Sequence, residues 1–195
     1  MYIIFEGIDT CGKTTQIDLI ANKFRNAIKT KEPGGTEFGK QAREILLADS
    51  LVSKQAELLL FLADRAEHYA EVIKPNRDKL ILSDRGFLSG IGYALANGDF
   101  EFEHLVKLNK FALEGDFPDL IIFFETNIET LKKRIEDKEL DGIEERGLEY
   151  LISVQKHMRE SLEILKIPYL LINATEDIEV IHIKIYEKIV QEFSI

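Results

Sequence analysis

The chain has 195 residues and a net charge of −10, with 25 Lys and Arg against 35 Asp and Glu. That length suits one domain with a full core. The acidic balance argues against nucleic acid as the main partner, while small phosphorylated ligands stay open because a few placed cations set the local field. A single cysteine, Cys11, excludes an internal disulfide and fits a reducing compartment. No apolar stretch approaches the roughly 18 residues of a membrane helix, and no leader precedes the first apolar run, so a soluble, cytoplasmic protein without a membrane partner is expected.

Short apolar runs alternate with longer helical patterns from end to end, without linker, repeat or low-complexity tract. The first run, Tyr2 to Phe5, leads into Gly7-Ile8-Asp9-Thr10-Cys11-Gly12-Lys13-Thr14, which fits G-x-x-x-x-G-K-[ST]. A helix follows over 13–26, with Ile17, Ile20, Ala21 and Phe24 on one face. Strand, glycine loop and helix are the context a phosphate-binding P-loop needs. The glycines let backbone N–H groups close around a phosphate at the helix N-terminus, where the dipole favours negative charge. Lys13 adds a movable cation for the outer phosphates, and the Thr14 hydroxyl is placed to ligate Mg²⁺. The loop therefore marks a nucleoside triphosphate site. Asp9 is out of place in it, since phosphates repel a carboxylate unless a cation or hydroxyl stands between them. It hints at a second, hydroxyl-bearing substrate.

The next strand, Ala27 to Thr30, runs into Lys31-Glu32-Pro33-Gly34-Gly35-Thr36. Thr36 can cap a helix over 36–48 that carries Arg43 two turns in. Alone, this segment is as readily a structural turn as a ligand loop. A helix over 54–74 follows, with Phe61 and Arg65 four apart on one face. The pair can stack on a base and bond its edge, although a core Phe beside a solvated Arg is the simpler reading of those two residues by themselves.

The strand Leu80 to Ser83 ends in Asp84-Arg85. An acid there holds Mg²⁺ or its waters from the side opposite the P-loop, and Arg85 would point into the crevice at the carboxyl ends of the strands. Helices over 87–97 and 102–114, a strand Leu120 to Phe124 after Pro118-Asp119, and a helix over 128–137 come next. The cations Lys132, Lys133, Arg134, Lys138 and Arg146 fall between 132 and 146 among many acids. Such a segment could close over a triphosphate, or be a solvated helix face. A helix over 144–165 and Pro168 precede the last strand, Tyr169 to Ile172. In the final segment, 177–193, Ile178, Ile181, Ile185 and Ile189 keep helical spacing while Ile181, Ile183 and Ile185 alternate like a strand; length decides for helix. The whole implies a three-layer α/β/α P-loop NTPase fold around a five-stranded parallel sheet covered on both faces.

Four motifs in this order, F-E-G-x-D-x-x-G-K-T-T (Phe5 to Thr15), K-E-P-G-G-T (Lys31 to Thr36), L-F-L-A-D-R-A-E-H (Leu60 to His68) and D-R-x-x-x-S-x-x-x-Y (Asp84 to Tyr93), resemble the thymidylate kinase family over essentially the whole chain. The resemblance implies one kinase domain over 1–195 with a lid at about 132–146, phosphorylation of dTMP to dTDP with Mg-ATP in dTTP biosynthesis by in-line transfer, and a homodimer. It implies that Gly7, Ile8, Asp9, Thr10, Cys11, Gly12, Lys13, Thr14, Thr15 and Asn173, next to Ala174, hold ATP, and that Thr14 and Asp84 hold the metal. On the acceptor side, Phe61 stacks on thymine, Arg65 bonds its edge, and Ser89 and Gly90 face it. Arg43 and Arg85 hold the dTMP phosphate, Pro33 borders the same pocket, and Asp9 with Tyr93 borders the deoxyribose.

Three departures stand out against that family. Lys31 replaces an arginine before E-P-G-G-T. Gly86 stands where an aromatic or His is usual, which would open one wall of the acceptor pocket. Neither the P-loop nor the lid has the usual arginines, which leaves Arg134, then Lys133, beside Lys13, Asp84 and Arg85 in the catalytic set. Another nucleoside monophosphate or deoxynucleoside kinase is the alternative, and a regulatory P-loop NTPase is a more distant one because no N-K-x-D guanine reader occurs.

Overall fold

Five strands, β1 (Tyr2–Glu6), β2 (Ile28–Lys31), β3 (Ile81–Asp84), β4 (Leu120–Glu125) and β5 (Tyr169–Asn173), form one parallel sheet in the order β2-β3-β1-β4-β5. The computed structural model describes residues 1–48, 51–98, 100–135 and 147–193. Its helices are α1 (Lys13–Ala21), α2 (Glu37–Leu47), α3 (Lys54–His68), α4 (Phe87–Ala96), α5 (Phe102–Ala112), α6 (Ile128–Ile135), α7 (Leu148–Leu165) and α8 (Ile178–Phe193). Alternate residues of each strand face opposite sides. Tyr2, Ile4, Ile121 and Phe123 pack with Leu58, Leu88, Ile91, Leu105 and Met158 of α3, α4, α5 and α7. Ile3, Phe5, Ile122 and Phe124 pack with Ile17, Ile20, Ile185 and Ile189 of α1 and α8. This is the expected three-layer architecture, and β1 and β4 are its buried centre.

The cover is not complete at the edges. On β2 the side chains of Lys29 and Lys31 are exposed, and on β5 Leu171 and Asn173 are exposed. These two strands have only one neighbour each, and charged residues on an edge also discourage pairing with another chain. Two helices are shorter than their sequence patterns. The first ends at Ala21, and Phe24 reaches the core from the turn beyond it. The third passes after His68 into a π-turn, Tyr69–Ile73, and a 3₁₀ turn, Lys74–Asn76, because Pro75 has no N–H to extend the ladder. Among the described residues no helix is long and apolar enough to cross a membrane.

At the end of the sheet away from the P-loop, Arg77 forks onto Asp116 and Asp119, and Asp119 also accepts the Tyr2 backbone N–H at 2.6 Å. That knot ties the start of β1 to the start of β4. In α8 the helical period wins: Ile181, Ile185 and Ile189 are buried, while Ile183 is 53% exposed. Ile178 is exposed too, so it lies outside the buried stripe. Ile185→Ala is therefore expected to cost about 2–5 kcal/mol in denaturant unfolding, and Ile183→Ala less than about 0.5 kcal/mol. Equal costs would contradict this register.

Candidate active site

Parallel pairing sets Phe5 opposite Asp84, so the P-loop leaves β1 beside the end of β3. Gly7 has φ +141°, and a Cβ there would lie 2.7 Å from the Phe124 carbonyl oxygen, so only glycine fits. Lys13 folds over the loop, its Nζ donating to the carbonyls of Gly7 at 3.0 Å and Ile8 at 2.8 Å. Cys11 is buried in the core beneath, filling the turn. The Thr14 hydroxyl donates to Asp84 Oδ2 at 2.6 Å, which brings the two expected metal residues together. Both offer hard oxygen atoms, the donor type Mg²⁺ takes. Among the described residues no group of three or more His, Cys, Asp or Glu forms a ready-made cage; Mg²⁺ on one or two protein oxygens plus substrate phosphates needs none.

Arg85 is the pivot. Its backbone N–H donates to the Phe5 carbonyl at 2.9 Å, and its own carbonyl accepts from Ser83 Oγ at 2.8 Å. These bonds hold it at φ +71°, a left-handed conformation that a side chain rarely adopts. The guanidinium donates through Nη1 to the Gly7 carbonyl at 2.7 Å and to Ser89 Oγ at 3.0 Å, and Nη2 pairs with Asp9 Oδ1 at 2.8 Å. Burial works against its charge, but Asp9 above all, then Tyr93, Asp84 and Glu6, hold its pKa well above the ordinary value. Asp9 thus has its cation, and the Tyr93 hydroxyl lies 3.5 Å from Oδ2.

Two cavities meet at this residue. A cleft of about 1120 Å³ is lined by Lys13, Thr14, Thr15 and Asp84 among others. A second, of about 530 Å³, is lined by Pro33, Phe61, Arg65, Ser89, Gly90 and Tyr93 among others. Asp9, Glu32, Arg43 and Arg85 border both. Arg43 comes from α2, which Thr36 caps as expected by accepting the Gly39 N–H at 2.9 Å, and its Nη1 reaches the Pro33 carbonyl at 3.3 Å.

Arg65 is not a solvated surface cation. It is 3% exposed, with Nε on Glu32 Oε2 at 2.8 Å, Nη1 on Asn109 Oδ1 at 2.7 Å and Nη2 on the Gly86 carbonyl at 3.0 Å. Glu32 also bonds His68 Nδ1 at 2.8 Å, and His68 Nε2 meets Thr30 Oγ1 at 2.6 Å. Burial pushes the Glu32 carboxyl up, yet Arg65 and His68 bring it below its usual value. Neighbouring Asp64 is pushed up to about 6 by burial and by Glu32, against the hydrogen bond it accepts from the Gly34 N–H at 3.1 Å.

Ser89, in the wall of the acceptor cavity, also braces its neighbours. Its hydroxyl donates to Glu6 Oε2 while accepting from Arg85. Glu6 is fully buried and its Oε1 accepts the Leu88 and Ser89 backbone N–H groups at 3.1 and 3.2 Å, capping α4 from another strand. Burial raises its pKa. Gly90 leaves the cavity wall to Arg65, since a Cβ there would lie 3.2 Å from Nη1. Gly86 itself lines the acceptor cavity, as expected of a residue without a side chain there. A Cβ on it would meet Ile4 at 3.1 Å, on the core side.

At the far end, Arg134 donates to the carbonyls of Thr10 at 3.1 Å and Ala174 at 2.8 Å, linking the P-loop to the loop after β5. Lys132 and Lys133 are exposed on α6; Lys138 and Arg146, with most of the expected lid, lie outside the described residues. Asn173 Oδ1 is engaged by the backbone N–H and hydroxyl of Thr175. Sequence reasoning assigned no role to Glu6, Asp64, His68 or Asn109. For Asn109 a signal existed: it falls on the buried stripe of α5 between Leu105 and Ala112, where a polar residue demands a partner.

A P-loop cleft joined along Arg43 and Arg85 to a second cationic cavity, on a parallel α/β/α sheet, defines a P-loop phosphotransferase with donor and acceptor subsites. The thymidylate kinase family profile matches residues 5–185. A thymidylate kinase of Sulfurovum sp. (strain NBC37-1) is 69% identical over 182 residues, 93% of this chain and 95% of that one. One from Campylobacter curvus is 54% identical over 188 residues, 95% and 97% of the two chains. The fold is like that in the crystal structure of the Ehrlichia chaffeensis thymidylate kinase, with TM-score 0.78 and 24% identity over 97% of this chain and 98% of that one. The chain belongs to the thymidylate kinase family, which phosphorylates dTMP to dTDP.

The raised Asp64 carboxyl makes a stability prediction. The group titrates at 3.8 when unperturbed and at about 6 in the folded protein, so the folded state binds the proton more tightly and stability falls as pH rises between those values. Asp64→Asn keeps an oxygen for Gly34 and removes that slope. It should unfold about 1–3 kcal/mol harder than wild type in urea near pH 7.5 and about equally near pH 4. A difference independent of pH would contradict the assignment.

Proposed function

We propose that the cavity pair transfers the ATP γ-phosphoryl group in line to a phosphate oxygen of dTMP, giving ADP and dTDP. The observation that carries this reading is Arg85, fixed by three elements at the junction and bordering both cavities. The P-loop cradles the donor phosphates and Lys13 lies over them. Thr14 and Asp84 would hold Mg²⁺, which would supply neutralisation of the charge on the donor phosphates. The acceptor phosphate sits on Arg43 and Arg85. Its sugar lies by Asp9 and Tyr93, and its base lies between Phe61 and the Arg65 edge, beside Gly90 and Pro33.

The acceptor oxygen needs no general base, because a phosphate monoester is already largely ionised at neutral pH. Catalysis is then alignment and neutralisation of developing charge in a partly dry site. Ser89 contributes through Arg85, whose Nη1 it braces. Among the described lid cations, Arg134 touches the P-loop, which supports it over Lys133 as the donor-side clamp. Phe38 and Ile45 of α2, Leu59 of α3, and Leu108 and Phe111 of α5 expose apolar surface, with Phe111 at 85%, and this supports a homodimer across that side. The working enzyme is cytoplasmic.

The test is ADP release with Mg-ATP and each of dTMP, dUMP, dCMP, dGMP, AMP, GMP, UMP, CMP and thymidine. Strong preference for dTMP, loss of turnover with a chelator, and a mass by light scattering of about twice 22.4 kDa are expected. Preference for another acceptor would reject the Phe61 and Arg65 roles. ATP binding with no turnover on any acceptor would reject the phosphotransfer assignment.

A further inference from the structure

The orientation of Arg65 is set from outside the cavity it lines. A guanidinium has five N–H groups. Three of them are used on Glu32, Gly86 and Asn109, which leaves one on each terminal nitrogen. Those two nitrogens are the ones that close on Gly90, at 3.2 and 3.4 Å from where its Cβ would be, and Gly90 borders the acceptor cavity. Asn109 is fully buried on α5 behind Arg65. Its amide cannot flip, because Nδ2 donates to the Leu105 carbonyl at 2.8 Å and a reversed amide would set oxygen against oxygen. Oδ1 is thereby aimed at Nη1. An apolar residue would continue the Leu105–Ala112 stripe equally well, and Asn is a poor helix former, so what Asn109 supplies is the bond to Arg65.

We propose that Asn109 is a positioning residue for base selection: by fixing Nη1 it turns the remaining N–H groups of Arg65 toward the base edge, so that the site takes a pyrimidine monophosphate with a carbonyl oxygen there over one with an amino group. This rests on reading the cavity as the dTMP site. A donor facing an amino group leaves two buried donors unsatisfied, the kind of mismatch by which a site rejects a near-isostere. Loosening Arg65 lets it move off the base and reduces that discrimination.

The experiment compares dTMP with dCMP as acceptor for wild type, Asn109→Leu and Asn109→Asp at saturating Mg-ATP. Asn109→Leu is expected to raise the KM for dTMP about tenfold and to lower the dTMP-to-dCMP ratio of kcat/KM by about tenfold, with kcat for dTMP and KM for ATP within about twofold of wild type. Asn109→Asp keeps an acceptor oxygen toward Nη1 and, ionised, bonds Arg65 more strongly, which offsets its second oxygen's facing the Leu105 carbonyl; it should return the ratio to within about threefold of wild type. If Asn109→Leu does not fold, Asn109→Ser, which withdraws the Oδ1 contact with less bulk, carries the same comparison. An unchanged ratio in the Leu or Ser variant overturns the proposal. So does a ratio lost as fully in the Asp variant, or a loss shared equally by kcat and both KM values, as a purely structural role would give. Wild type that prefers an acceptor other than dTMP overturns the reading of the cavity itself, and is distinguished by appearing before any substitution is made.

Discussion

Much of this molecule depends on the parallel pairing of β1 with β3 in one register. With Phe5 opposite Asp84, the glycine loop leaves one strand at the level where the next delivers a carboxylate and a guanidinium. The pairing continues one residue past β3, through the Arg85 N–H to the Phe5 carbonyl, and that bond helps hold Arg85 in a left-handed conformation costing about 1–3 kcal/mol. The contact of Thr14 with Asp84, the reach of Arg85 to Gly7 and Asp9, and the capping of α4 by Glu6 all follow from the same alignment. A slip of one residue would turn Asp84 to the other face of the sheet and separate the subsites.

Around and behind the acceptor cavity the protein buries several titratable side chains. Glu6, Glu32, Asp64, Arg65 and His68 are all buried, and an ionised group away from water is costly unless it is paired. Here the partners are shared. Glu32 holds both Arg65 and His68, and Glu6 holds a helix end and Ser89, which in turn holds Arg85. Removing one member of such a pair leaves the other stranded, typically at about 3–5 kcal/mol. The network fixes the two arginines before a ligand arrives, which reduces the ordering that binding requires.

The parts of this arrangement legible in the sequence were the local ones. Gly7 to Thr14 follow an apolar run and open a helix, Phe61 and Arg65 are one helical turn apart, and Asp84-Arg85 ends a strand. The structure brings Asp9, Thr10, Gly12, Lys13 and Thr14, with Phe61, Arg65, Asp84 and Arg85, to the same two cavities. What the sequence did not reveal depends on which elements meet. The hydroxyl of Ser89 is taken by Glu6, 83 residues away along the chain, and Arg65 is held by Asn109, 44 residues on. That a Cβ on Gly86 would also crowd Ile4 is visible only in the fold. The edge strands misled for a related reason: Ile28 to Lys31 joins the sheet with half of its side chains in solvent, and strand order is not written in any one segment.

The central claim is that Arg85 joins the two subsites and acts on the acceptor phosphate rather than on ATP. Its most direct test is Arg85→Ala, with dTMP-dependent turnover measured beside equilibrium binding of a non-hydrolysable ATP analogue. The account predicts turnover down by at least about a hundredfold with analogue affinity within about threefold of wild type. Near-normal turnover, or a loss of analogue affinity as large as the loss of turnover, would contradict it.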